Sequence, residues 1–293
     1  MGSFVIVLVL CSTFMHAGWN LVARHHRCEA DFFNRMLAMI ALFGFVPAIL
    51  SEALTRSIPL MAWVYVAGSG FCCGIYLFFL ARAYESSDFT VVYPVVRSLP
   101  VLFVSIGDLL RGRYLTPMGW LGIFLVVSGC FFAPLRSVKD FTVHRYLNRA
   151  ILWMLLAAVG TVGYTLFDKV ASEIVKQGPA TAARYGYMFF LISYGVYALF
   201  LKRFKRRESS PNSFGWKLPI LAGFMNFGAY WLVLWAYQLS QHAGYITAFR
   251  QFSIVIGVIL AFTIYKEQGL VIRLMGVLLL TLGLVLVGLW GSL

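Results

Sequence analysis

The sequence predicts an all-α integral membrane protein of ten transmembrane helices, arranged as two inverted five-helix repeats around a central cavity. The first observation is composition: 61% of the 293 residues are hydrophobic and 12% are charged, whereas soluble domains carry about 25% charged residues. The second is a series of ten apolar runs, and the third is similarity between the two halves of the chain. A bilayer accommodates this much apolar surface, and a helical bundle satisfies its own backbone there.

Apolar runs of spanning length follow one another along nearly the whole chain. About 20 apolar residues cross the hydrocarbon core as a helix. No room remains for a soluble domain, and no basic segment precedes the first run, so we expect a retained helix in a multi-pass protein of the cell (inner or plasma) membrane. The runs cover residues 3–23, 32–50, 60–81, 88–108, 117–135, 149–169, 180–201, 216–238, 244–264 and 270–291.

The basic residues predict the orientation. Sixteen Lys and Arg lie toward the loops that follow odd-numbered runs, and six lie toward the other face. Basic loops stay in the cytoplasm, so the pattern predicts that both termini lie outside. The two longest basic loops cover residues 136–149 and 202–208. This distribution explains the net charge of +13, and we expect no nucleic-acid partner.

The two halves of the chain resemble each other. The offset that aligns Ala83-Tyr84 with Ala236-Tyr237 also places Arg97 on Arg250. Apolar helices share small and aromatic residues by composition alone, but a matched Arg inside two apolar runs is much harder to obtain by chance. We predict repeats at 1–140 and 141–293. Because each holds an odd number of helices, the second enters the membrane from the opposite side.

Arg97 and Arg250 are the strongest candidate site residues. An Arg in the middle of a membrane helix costs about 2.5–3.5 kcal/mol or more to insert, so each needs a partner or water. One interpretation is a clamp for a carboxylate or phosphate, because a guanidinium binds such groups with two parallel hydrogen bonds. The alternative is a structural ion pair or a carbonyl cap. Acidic residues within the apolar runs are few and lie near helix ends: Asp88, Asp108, Asp168 and Glu267.

Aromatic and polar side chains accompany these arginines. His16, Trp19 and Asn20 share one helix face. His16 is either a proton-coupling group or a hydrogen-bonded core residue, and Pro94 and Pro100 either break the fourth helix or are tolerated in it. Tyr84, Tyr237 and Tyr245 suit the aromatic belt at the membrane surface. The predicted substrate-binding residues are His16, Trp19, Asn20, Tyr76, Tyr93, Arg97, Tyr230, Arg250 and Gln251.

The sequence resembles the drug/metabolite transporter superfamily, in its EamA-type ten-helix branch. The residues that carry the resemblance are His16-Ala17-Gly18-Trp19-Asn20, Ala81-Arg82-Ala83-Tyr84, Tyr93-Pro94, and Tyr265-Lys266-Glu267 before Gly276 and Gly283. Arg111-Gly112-Arg113 stands where members often have Gly-Glu-Arg, and members are often drawn with cytoplasmic termini. The resemblance implies two inverted repeats, a central cavity, and export or exchange of metabolites without ATP hydrolysis.

The sequence therefore predicts a secondary transporter that moves a small anionic or zwitterionic metabolite, such as an amino acid, an organic acid or a phosphorylated metabolite, by alternating access. The alternative is a flippase for a lipid or lipid-linked substrate, followed by a membrane enzyme or scaffold. Scattered histidines and the lack of a Walker sequence or metal-ligand spacing predict no catalytic residue, metal or cofactor. The expected partners are the substrate, the bilayer, and a coupling proton or counter-substrate, with a monomer or homodimer as the assembly.

Overall fold

All regular structure in the described part of the chain is α-helical. The computed structural model describes residues 2–22, 30–87, 89–135, 137, 150–204, 215–263 and 270–291. The predictions on the basic loops 136–149 and 202–208 therefore fall largely outside the described residues. The helices are α1 (Ser3–Val22), α2 (Ala30–Thr55), α3 (Leu60–Ser86), α4 (Phe89–Leu110), α5 (Pro117–Phe132), α6 (Ile151–Ser172), α7 (Pro179–Phe204), α8 (Lys217–Leu239), α9 (Ala243–Phe249), α10 (Phe252–Thr263) and α11 (Leu270–Trp290).

The helices have the length and composition of membrane spans. Within the described ranges, eight segments are long and apolar enough to cross a bilayer, one of them running through α9 and α10. α5 is a shorter apolar helix of 16 residues. α7 has 26 residues but is not among the eight, and its sequence carries several tyrosines and basic residues. The prediction of an all-α, multi-pass membrane protein is confirmed, while the count of ten spans stays a prediction.

α5 and α11 approach each other through glycines. A Cβ atom added to Gly122 would lie 2.7 Å from the Gly283 carbonyl oxygen, and one added to Gly129 would lie 2.6 Å from the Gly276 carbonyl oxygen. As the residue number rises in α5 it falls in α11, so the two helices run antiparallel. The absence of side chains at these four positions allows the two backbones to come into direct contact.

α2 and α7 also run antiparallel, and hydrogen bonds join them along their length. The Tyr197 hydroxyl donates to the Ala30 carbonyl at 2.8 Å, and the Tyr187 hydroxyl donates to the Ala41 carbonyl at 2.7 Å. At the other end, Arg184 donates to the Glu52 carboxylate at 3.1 Å. These bonds satisfy polar groups that lipid could not satisfy.

The remaining contacts also join the first five helices to the later ones. α3 packs along α6 and α7, α1 packs along α8, and α4 packs against α6 and α9. The Ser12 hydroxyl of α1, for example, donates to the Ala229 carbonyl of α8 at 2.7 Å. The interior of the bundle is therefore formed mainly between the two halves of the chain, rather than within each half.

The helix interruption lies in the second half of the chain. α4 continues through Pro94 and Pro100, so the interpretation that these prolines break the fourth helix is wrong. Instead, the predicted ninth helix stops at Phe249 and resumes at Phe252. Around this break the backbone bonds tighten: the Gln251 N–H donates to the Ala248 carbonyl at 2.9 Å, three residues back.

Candidate functional site

Arg250 lies at the interruption between α9 and α10. Its carbonyl accepts hydrogen bonds from the Ser253 hydroxyl at 2.9 Å and from Nη2 of Arg97 at 3.5 Å. Nη2 of Arg97 also donates to the Ser253 hydroxyl at 3.0 Å. The two matched arginines therefore meet, but the contact runs from the side chain of one to the backbone of the other. Interrupted membrane helices of this kind commonly form substrate and ion sites.

Arg97 has two environments. Its Nη2 atom caps the carbonyl end of α9, where the helix dipole favours a cation, and this part fits the carbonyl-cap alternative. Its Nε atom is buried without a hydrogen-bond partner, and its guanidinium carbon lies 5.8 Å from the centroid of the Tyr93 ring. Buried polar atoms are usually satisfied, so capping alone does not account for the whole guanidinium.

A small cavity adjoins Arg97. Its volume is about 20 Å³, enough for one or two water molecules, whereas ligand pockets usually measure about 300–1,000 Å³. The cavity is therefore too small to hold a metabolite in this conformation. It is lined by six of the predicted site residues, His16, Trp19, Asn20, Tyr76, Tyr93 and Arg97, together with Phe33, Leu80, Tyr84 and Val96.

The predicted face of α1 is ordered by its own hydrogen bonds. Trp19 Nε1 donates to His16 Nδ1 at 3.1 Å, and the two rings meet edge to face at a centroid distance of 5.2 Å. The Asn20 amide donates to the His16 carbonyl at 2.9 Å. This pairing agrees with the hydrogen-bonded interpretation of His16, because Nδ1 accepts a hydrogen bond and so carries no proton in this arrangement.

Aromatic rings connect Arg250 to the same cavity. The guanidinium carbon of Arg250 lies 5.4 Å from the centroid of the Tyr230 ring, a cation–π contact. The Tyr164 ring contacts both Tyr76 and Tyr230 at centroid distances of 5.8 Å. Gln251 is not among the cavity-lining residues, and its amide donates within α9 to the Thr247 carbonyl at 3.0 Å.

Sequence reasoning missed Asp168 as a site residue. Its carboxylate is 1% exposed and accepts hydrogen bonds from the hydroxyls of Tyr185, at 2.8 Å, and Tyr230. The sequence placed Asp168 near a helix end, where water would solvate it. The available signal was its spacing: Asp168 follows Tyr164 by four residues and therefore shares its face of α6.

The proposed aromatic belt does not hold for two of the three tyrosines assigned to it. Tyr237 and Tyr245 are completely buried inside the protein, and the Tyr245 hydroxyl donates to the Gly291 carbonyl. Tyr84 lines the cavity. The expectation was wrong because position near the end of an apolar run does not reveal whether a ring faces lipid or a neighbouring helix.

An ionic cluster closes the bundle beyond the α4 end opposite the cavity. Glu173 binds Arg111 at 2.7 Å and Lys169 at 3.1 Å, and Arg113 lies 3.8 Å away. Burial, and then the charges of Arg113 and Lys169, lower the pKa of the nearby His242 imidazole below its ordinary value. At about 1.5 Å per residue, the cluster lies about 20 Å beyond Arg97 along the axis of α4.

Replacing Glu173 with Gln is expected to lower the stability of the protein, because three cations lose the anion that they share. The side chain of Glu173 is about one-third exposed, so screening limits the loss to about 1 kcal/mol in total. Thermal unfolding of the purified protein measures it. The matched control is Glu85→Gln, which removes one exposed pair with Arg82. Equal melting temperatures for the two variants would contradict a role for the cluster.

A multi-pass helical bundle that encloses arginines beside an interrupted helix is the architecture of a membrane transporter. The family agrees: the chain belongs to the EamA-like transporter family, whose model matches residues 3–134 and again residues 148–289. The resemblance to the drug/metabolite transporter superfamily is thereby confirmed. The family is one of transporters and not of enzymes, so the prediction that the protein is not an enzyme is also confirmed.

A solved structure has the same fold. It is described only as "Crystal structure of protein", and it matches with a TM-score of 0.73 over 99% of this chain and 98% of that chain, at 17% sequence identity. At that identity the likeness concerns the fold alone. No curated protein matches the chain in sequence.

Proposed function

We propose that the protein is a secondary transporter that moves a small anionic or zwitterionic metabolite across the cell membrane by alternating access. The observation that carries this proposal is Arg250 at the tightened turn between α9 and α10, within one membrane span, with the Arg97 guanidinium bound to its carbonyl at 3.5 Å. Two cations in an apolar bundle are costly unless a ligand or partner compensates them. A carboxylate or phosphate would supply that compensation.

The packing supports ten spans in two inverted repeats, at 1–140 and 141–293. Under that scheme α2 corresponds to α7, α4 to α9 and α10, and α5 to α11. The described contacts place α2 beside α7, α4 beside α9, and α5 beside α11. The glycines show the same exchange: Gly122 faces Gly283, while Gly129 faces Gly276. A two-fold axis in the membrane plane produces this pattern, because it exchanges the members of each pair and reverses their direction.

In the proposed binding mode, Arg250 and Arg97 hold the anionic group of the substrate from the two repeats. The unpartnered Nε of Arg97 is a donor available to an oxygen ligand, and a guanidinium can present two donors in one plane. Tyr76, Tyr93 and Trp19 would pack against the body of the substrate. His16 and Asn20 would supply its polar contacts, and Tyr230 would hold Arg250 in place.

The cavity must expand for this substrate to enter. It lies toward the ends of α1 and α3, which the charge pattern places in the cytoplasm, while the Glu173 cluster closes the opposite end. We therefore propose that this conformation is closed on the outer side and has a narrow cavity on the cytoplasmic side. We also propose that the substrate moves from the cytoplasm outward, or is exchanged for another substrate. Both termini lie outside in this scheme.

A lipid flippase is the second candidate function, and one feature favours it. An apolar crevice of about 400 Å³ lies between α2, α7 and α8. Its lining includes Phe43 and Phe224, which are 55% and 58% exposed and would face lipid. Arg184 lies at one end of the crevice and is already bound to Glu52 at 3.1 Å. It is therefore less available to a lipid headgroup than Arg250 is to a metabolite.

Flux into proteoliposomes separates the two functions. Purified protein would be reconstituted and tested with radiolabelled amino acids, organic acids and sugar phosphates, and in parallel with a fluorescent phospholipid analogue. A saturable metabolite flux that unlabelled substrate inside the vesicle accelerates would support the transporter. Movement of the lipid analogue without flux of any metabolite would overturn it in favour of the flippase.

A further inference from the structure

We propose that Asp168 is the proton-binding site of this transporter, neutralising Arg250 when no substrate is bound and taking up a proton when an anionic substrate replaces it. The inference rests on the proposed function and adds its coupling ion. Anion and proton would then cross the membrane together.

Tyr230 links Asp168 to Arg250. The carboxylate accepts hydrogen bonds from Tyr185 of α7 and Tyr230 of α8, and both phenols donate, which stabilises the charged form. The guanidinium carbon of Arg250 also lies over the face of the Tyr230 ring, 5.4 Å from the ring centroid. A single side chain therefore contacts the acid through its hydroxyl and the cation through its ring.

The groups around Asp168 are neutral apart from Arg250, and Lys169 is directed elsewhere. Each helix packed against α6 contributes some of them. Lys169, beside it in sequence, points to the Tyr237 carbonyl, at 3.0 Å, and to Glu173. The groups that interact with Asp168 are Ser69, Cys72 and Cys73 of α3, Tyr185 of α7, Tyr230 and Tyr237 of α8, and Arg250 at the turn between α9 and α10. On α4, Asp108 accepts from the Gly244 N–H.

Charge balance explains why a proton would accompany the substrate. With no substrate, Arg250 and ionised Asp168 compensate each other. A bound carboxylate adds a second anion near Asp168. Arg97 compensates it only in part, because its guanidinium also caps the carbonyl end of α9, and like charges in a low-dielectric interior repel strongly. Protonating Asp168 removes that repulsion. The step transfers one proton from hydronium in the solvent to a carboxylate oxygen: one O–H bond of the hydronium breaks, one O–H bond forms on the acid, and water is released.

The hydrogen bonds can adapt to this change. A phenol hydroxyl both donates and accepts, so Tyr230 can continue to donate to the unprotonated oxygen while the other oxygen carries the new proton. His16 is less suited to the same task, because its Nδ1 already accepts from Trp19. The acid near Arg250 is therefore a better proton site than the histidine that the sequence suggested.

The test measures binding and proton uptake together. The probe is a fixed mixture of L-glutamate, malate and glycerol 3-phosphate, which carries the anionic groups of the proposed substrate class. Binding is followed by thermal shift, and proton uptake by an indicator dye in weakly buffered solution. Wild-type protein is expected to take up about one proton for each ligand bound, and its affinity is expected to weaken by up to about tenfold for each unit rise in pH.

Asp168→Asn imitates the protonated acid. Its affinity is expected to be independent of pH and equal to that of the wild type at low pH, with no proton uptake. Proton uptake that persists in this variant, or probe binding by the wild type without uptake, would overturn the inference and leave the transporter proposal standing. Failure of the wild type to bind the probe while it moves the lipid analogue would overturn both.

Tyr185→Phe provides a second variant in case the Asn substitution does not fold. It removes one donor to the carboxylate and leaves the Tyr230 contact with Arg250 unchanged. The charged form of Asp168 becomes less stable, so the pH profile of probe affinity should move to higher pH. A profile that coincides with the wild-type profile would contradict the assignment of proton uptake to Asp168.

Discussion

Replacing Arg250 with Gln is expected to lower transport of the anionic substrate by about 100-fold. A hydrogen bond to a charged group contributes about 1.5–3 kcal/mol, and each 1.4 kcal/mol is about tenfold in affinity. Gln keeps a polar side chain at the break between α9 and α10 but cannot supply the charge. The initial rate of counterflow in proteoliposomes measures the effect. Full activity would exclude Arg250 from the binding site.

Arg97→Gln separates the two roles that its contacts support. If Arg97 is part of a clamp, its replacement should lower transport. If it is a cap of the Arg250 carbonyl, its replacement should mainly lower the melting temperature. We expect both effects, since Nη2 is bound to that carbonyl and Nε is not bound. Arg203→Gln is the matched control, because Arg203 is exposed at the end of α7 and should change neither quantity. A double Arg97→Gln, Arg250→Gln variant with full transport would exclude the clamp.

The second large effect is expected in the seam between α5 and α11. In Gly129→Leu, the new Cβ would lie 2.6 Å from both the Gly276 carbonyl oxygen and the Leu280 backbone nitrogen. Backbone atoms cannot rotate away as side chains do, so the helices must separate. We expect a loss of about 3 kcal/mol or more, measured by thermal unfolding and by the monodisperse fraction on gel filtration.

Gly195→Leu is the matched control for this prediction. Gly195 also lies within an apolar helix, but a Cβ there would meet nothing within 4 Å. It should therefore fold like the wild type. If both variants unfold at the same temperature, the close approach of α5 and α11 does not contribute to stability.

Composition and apolar runs predicted the class of fold because a bilayer imposes the length and polarity of its helices. The ends of the helices were less predictable. The run at 32–50 became Ala30–Thr55 and the run at 60–81 became Leu60–Ser86, since both helices extend into polar sequence. The break at Arg250 carries neither Pro nor Gly, and contacts from Arg97 and Ser253 stabilise it. Such contacts between distant residues cannot be read from local sequence.

Helical spacing predicted the part of the candidate site that lies on α1. His16, Trp19 and Asn20 were expected on one face of α1, and they line the cavity together. The matched positions of Arg97 and Arg250 predicted both as site residues, and the Arg97 side chain contacts the Arg250 backbone. Asp168 escaped because its burial depends on tyrosines of α7 and α8, which are distant in sequence. Tyr237 and Tyr245 were misassigned to the aromatic belt because their burial also depends on residues that are distant in sequence.

The glycine seam has a consequence for kinetics. Most packed helices interlock through their side chains, and any change in their angle requires new rotamers and new cavities. At Gly122, Gly129, Gly276 and Gly283 backbone touches backbone, with the side chains of Val126, Leu280 and Val287 beside them, so α5 and α11 have few side chains to rearrange when they pivot. The activation barrier to reorientation would then arise at the ends of the bundle, where ion pairs such as Arg111–Glu173 must separate, and the turnover rate should respond to salt concentration.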